Sequence, residues 1–127
     1  METFDDFLAA ARAQTDAQRI LLVFTQIDDV AEGGAAEGGF LTPKMCVDKT
    51  PNEITSFQDL IAEASNTGQE WSIVFVASLA GKGDHVPSSE DANKPLDAMI
   101  AGINTGMVHN YLVFDKSGDI LSLTTQE

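Results

Sequence analysis

WSIVFVASL, residues 71–79, is the most hydrophobic stretch of the chain. Ile73, Val74, Phe75, Val76 and Ala77 run without a polar break. Such a run predicts a strand buried on both faces, sitting mid-sheet with helices packed against it. The segment that leaves it, AGKGDHVPSS (80–89), is polar, glycine-rich and bears His85, one of two histidines. Ligands of open α/β sheets gather beyond the carboxyl ends of such strands, so this loop is the first place to look for a site.

Upstream, Ser56–Ser65 reads as a helix with Thr55 or Ser56 as cap and an apolar stripe of Phe57, Leu60, Ile61 and Ala64. The first helix, opened by Thr3, has the same pattern. Phe4, Asp6, Phe7, Leu8 and Ala11 recur as Phe57, Asp59, Leu60, Ile61 and Ala64. Two equivalent helix–strand units packed in one layer explain this repeat without common ancestry. Ile20–Thr25 reads as a buried strand. Between residues 27 and 40, carboxylates alternate with four glycines, which predicts a flexible acidic loop. That loop lacks the D-x-D-x-D-G order of a calcium site, and no metal site is expected there. Pro43 bars a central-strand position, so Met45–Asp48 reads as a short strand near a sheet edge.

Downstream, Leu96, Met99, Ile100 and Ile103 form the face of a third helix. Proline is tolerated in a first helical turn, so Pro95 places the cap at Asp91 or Asn93. Tyr111–Phe114, the turn Asp115–Gly118 and Ile120–Leu123 read as a closing hairpin. The alternation of strands and helices predicts an α/β fold, with α+β as the alternative. The expected form is one domain, residues 1–127, with a mixed, mostly parallel sheet of four to five strands, three helices and a C-terminal β-hairpin.

The chain's 127 residues include 20 acidic and 7 basic ones, a formal net charge of −13. That field opposes nucleic acid, whose binding needs Lys and Arg to displace counterions, and it opposes anionic membranes. An unidentified protein partner is the expected kind of contact. One cysteine excludes an intramolecular disulfide and suits a reducing, cytoplasmic compartment. The acidic N-terminus does not read as a signal peptide, and no apolar run approaches the ~20 residues that span a bilayer.

Three sets of residues carry candidate chemistry. Cys46 becomes a nucleophile if a base lowers its pKa, and His85 and His109 are the imidazoles available; otherwise it is a small hydrophobe beside Met45 and Val47. Gly81, Lys82, Gly83, Asp84 and His85, with Ser88 and Ser89, form a candidate anion cradle of backbone amides and one ammonium. The plainer reading gives those glycines to turns and a serine to a cap. No P-loop, dinucleotide fingerprint, zinc spacing or nucleophile elbow is present, and no cofactor is expected.

LLVF (21–24), GGFLTPKMCVDKT (38–50), WSIVFVASLAGKG (71–83), PSS (87–89) and KPL (94–96) together resemble a group of short proteobacterial proteins labelled "ribonucleotide reductase subunit alpha". The resemblance extends along most of the chain, and MCVDK and GKG…PSS are its more specific parts. It implies no catalytic residues. A self-sufficient reductase is excluded by chemistry: that reaction uses a thiyl radical and a thiol pair that closes to a disulfide, and Cys46 is the only thiol.

The leading expectation is a cytoplasmic, non-catalytic binding or protein-interaction module with contacts on the 28–39 and 80–90 loops. The alternatives are a small enzyme using Cys46 with His85 or His109, and a binder of small anions through Gly81–His85.

Overall fold

The computed structural model describes residues 3–28, 40–105, 107 and 111–121. Helix α1 (Phe4–Arg12) starts at Thr3, whose hydroxyl accepts the Asp6 amide while the Asp6 carboxylate accepts the Thr3 amide. This capping box satisfies donors that a helix start leaves orphaned. Phe4, Phe7, Leu8 and Ala11 are its buried face, as the spacing predicts. Strands β1 (Gln18–Asp28) and β2 (Phe40–Lys49) follow, both longer than their apolar cores. A 3-10 turn (Pro51–Glu53) leads to α2 (Phe57–Ser65), capped by Ser56. Then come β3 (Ile73–Ala80), α3 (Ser89–Thr105), β4 (Leu112–Asp115) and β5 (Ile120–Leu121).

Among the described residues the strands form one five-stranded sheet in the order β2-β1-β3-β4-β5. Every neighbouring pair is antiparallel, which corrects the expectation of a mostly parallel sheet. β2 and β3 are both antiparallel to β1, so they share one direction, and the α2 crossover between them steps over β1. In this step the two joined strands run parallel but are not neighbours. The step through α3 is the opposite case: α3 packs over β1 and β2, and the chain returns to pair β4 with the first half of β3, adjacent to it and antiparallel where a parallel step was expected.

Helices cover both faces, which is why the strands lack polar breaks. On one face Ile20, Leu22, Phe24, Val74, Val76 and Phe114 pack against α1 and α2, which therefore share a layer. On the other, Leu21, Val23, Ile73, Phe75 and Val113 pack against Ala92, Leu96, Met99 and Ile103 of α3. Burying each such side chain contributes about 1.5–3 kcal/mol. Trp71 closes the first core, its ring 4.9 Å from that of Phe24 and edge-on to it, with the Lys116 ammonium 5.1 Å from its centroid.

The cap of α3 is Ser88, not Asp91 or Asn93. Its hydroxyl accepts the Asp91 amide at 3.0 Å and its own amide donates to the Asp91 carboxylate at 3.1 Å. Pro95 thus lies inside the helix, six residues past its first position and in its second turn. The earlier start gives α3 a further buried contact, Ala92.

Candidate functional site

The loop after β3 is built from its glycines. Lys82 and His85 exchange backbone hydrogen bonds of 3.2 and 2.9 Å across Gly83-Asp84, closing a two-residue hairpin. Gly83 takes φ +54° at the first central position, as a type II′ turn requires. This hairpin docks on the segment that enters β1. The Gly81 amide donates to the Ala17 carbonyl at 2.7 Å, the Ala17 amide to the Gly83 carbonyl at 2.8 Å, and the Gly83 amide to the Asp16 carboxylate at 2.9 Å. The amides of Gly81, Lys82, Gly83 and His85 therefore all serve acceptors of the protein itself. The anion that this glycine loop holds is the side chain of Asp16. The side chains of Lys82, Asp84 and His85 are exposed.

Ser88 and Ser89 are likewise engaged. Ser88 is the helix cap, and Ser89 donates to Asp48 Oδ2 at 2.6 Å. The same oxygen accepts Arg19 Nη1 at 2.6 Å, while Arg19 Nε donates to the Pro87 carbonyl. One guanidinium thus fastens β1, β2 and the start of α3 together. Its partners lie 29 to 70 residues away in sequence, so no local spacing announces the cluster.

Cys46 is exposed on β2, paired with Val23 on the side of the sheet that faces α3. His85 lies beyond Gln18, at the far end of β1 and on its β3 side. Val23 and Gln18 are five residues apart on β1, a rise of roughly 17 Å, so Cys46 and His85 are not brought together. His109 lies outside the described residues, as does most of the 27–40 loop.

The arrangement not anticipated from sequence is at the other edge of the sheet. Among the described residues no strand pairs with the outer side of β2. The register shifts beside Pro43 and leaves Lys44 as an unpaired bulge, so that end of the strand is blunted against pairing. Among the described residues, Met45–Lys49, beyond the bulge, has no proline or bulge of this kind. Met45, Val47 and Lys49 point toward the α1–α2 layer, and between them and α2 lies a cleft of about 170 Å³. Phe24, Met45, Val47, Leu60, Ala64 and Thr67 line it, and the ion pair between Lys49 and Glu63 (3.2 Å) stands at its rim.

A second cleft of about 340 Å³ adjoins the first, sharing Leu60 and Glu63. Glu53, Asp59 and Glu63 contribute three carboxylates to its lining, which has no Lys or Arg. Glu53 accepts the Thr50 amide at 2.8 Å, and that bond, the largest cause, holds its carboxyl below the ordinary glutamate value. The only sequence signals for this region were Pro43, which marked the edge, and the alternation of Met45 and Val47.

Among the described residues no group of three or more His, Cys, Asp or Glu side chains is placed to hold a metal ion. No described helix is long and apolar enough to cross a membrane. Comparison with protein-family models, curated proteins and solved structures gave no match.

Proposed function

We propose that the chain is a non-catalytic interaction domain that receives an extended segment of a protein partner on the open edge of β2. The observation that carries this reading is the coincidence of the Met45–Lys49 edge, which no strand among the described residues pairs, with the apolar cleft between Val47 and Leu60. In strand addition the main chain supplies affinity and a neighbouring pocket for alternate side chains supplies specificity. Pro43, which has no amide to donate, and the bulge at Lys44 interrupt regular pairing ahead of Met45, so pairing would start at Met45. The net charge of −13 supports a protein partner over nucleic acid or an anionic membrane. A cytoplasmic setting fits the single, unpaired cysteine.

Panning displayed random peptides on the intact chain, followed by amide-resolved NMR titration of the selected peptides, tests the proposal. The expected result is movement of the Met45–Lys49 amides together with those of Leu60–Thr67. Selected peptides that move only the Gly81–His85 amides would shift the function to the loop, and a failure to select any binder would remove the interaction reading.

A further inference from the structure

We infer that the segment received by β2 is basic, with an aliphatic residue and a lysine or arginine two positions apart so that both face the same side of the sheet; this rests on the strand-addition reading above. A strand added to β2 sends every second side chain toward the α1–α2 layer, at a spacing of about 6.6–6.8 Å. One such side chain lies over the cleft floored by Phe24, Val47, Leu60 and Ala64, which are apolar and match an aliphatic group. The next side chain on that side, two residues along and long enough, reaches the adjoining cleft, which Glu53, Asp59 and Glu63 line without a Lys or Arg.

The chain already demonstrates the chemistry at this junction. Its own Lys49 ammonium sits 3.2 Å from Glu63, at the boundary of the two clefts. The Glu63 side chain remains 62% exposed, so a second cation can approach it or displace Lys49 at small cost. The Asp59 carboxylate makes no ion pair among the described residues, and its backbone amide is separately held by Ser56. Glu53 stays ionised because the Thr50 amide favours its charged form. A second copy of this chain is disfavoured as the occupant, since pairing two such molecules joins two net charges of −13.

The test uses two fluorescently labelled synthetic peptides and the intact protein. One places valine or leucine and lysine two residues apart, with serine at the positions between; the other carries glutamate in place of each lysine. The lysine peptide is expected to bind with the Met45–Lys49 amides shifting, and to lose affinity as salt rises. Asp59→Lys is expected to weaken it about fivefold and Asp59→Asn by less, the range of exposed charge pairs. Circular dichroism of both variants verifies that the fold is kept. Equal binding of the two peptides at Met45–Lys49, or indifference of the lysine peptide to Asp59→Lys, overturns the basic partner while leaving strand addition standing. If library-selected peptides move Met45–Lys49 but the lysine peptide does not, the chemistry proposed here is wrong. If nothing moves those amides, the strand-addition reading falls with it.

Discussion

The carboxylate of Asp16 accepts the amide of Gly83 at 2.9 Å, tying the loop after β3 to the entrance of β1. With the Ala17 bonds beside it, this contact turns a glycine-rich loop into an extension of the sheet. Asp16→Ala is expected to cost about 1 kcal/mol in urea unfolding and to speed hydrogen exchange at Gly83, with Asp16→Asn losing less because an acceptor oxygen remains. An unchanged exchange rate at Gly83 in Asp16→Ala would show that the bond does not hold the loop.

Arg19 and Ser89 share one acceptor oxygen of Asp48, and the Arg19 and Asp48 side chains are only 13% and 19% exposed. Removing the guanidinium leaves a mostly buried carboxylate with one donor. Arg19→Met is therefore expected to cost about 2–3 kcal/mol, and Ser89→Ala about 1 kcal/mol. Because the two donors converge on one atom, a double-mutant cycle in chemical denaturation should be non-additive. Simple additivity would mean that the three groups do not act as a unit.

Two glycines should answer very differently to alanine. At Gly81 an added Cβ stands 1.9 Å from the His85 carbonyl oxygen, so the hairpin must open. At Gly68 nothing lies within 4 Å, and the cost is that of a left-handed backbone at φ +79°. Thermal unfolding should place Gly68→Ala about 1 kcal/mol below wild type, and Gly81→Ala lower still with lost protection at Lys82 and His85. Equal melting of the two variants would contradict the close approach at Gly81.

Glu53 gives a pH-dependent contribution of definite sign. Its carboxyl is lowered in the fold, chiefly by the Thr50 amide, so the folded state binds its proton less readily than the unfolded chain. The resulting stability is present above the ordinary glutamate range and is lost as pH falls through the lowered value. Stability measured against pH should show wild type above Glu53→Gln at neutral pH, with the gap closing on acidification. A gap independent of pH would assign the effect to something other than ionisation.

Periodicity located α1, α2 and the face of α3, because each apolar stripe repeats at the helical spacing and each meets one face of the sheet. Pro43 located the sheet edge. Strand direction was not legible, since Ile73–Val76 reads as buried whether its neighbours run parallel or antiparallel; the run reports helices on both faces and nothing more. Pro95 misplaced the cap of α3: the Ser88–Asp91 box and the buried face of Ala92 and Leu96 outweigh one missing amide. The glycine loop looked like an anion site, and one of its amides, that of Gly83, does hold a carboxylate, but only the fold brings Asp16 to it. The cleft beside β2 was invisible for the same reason, because Val47 and Leu60 meet only when α2 crosses back over β1.

Cys46 offers the most direct measurement of the central claim, being the chain's single thiol and exposed on the open strand. Its alkylation rate would be followed in the intact protein with and without a saturating peptide selected on the chain. Occupation of the β2 edge predicts that the rate falls severalfold and recovers when the peptide is competed away. An unchanged rate with the peptide bound would place binding elsewhere and contradict strand addition at Met45–Lys49.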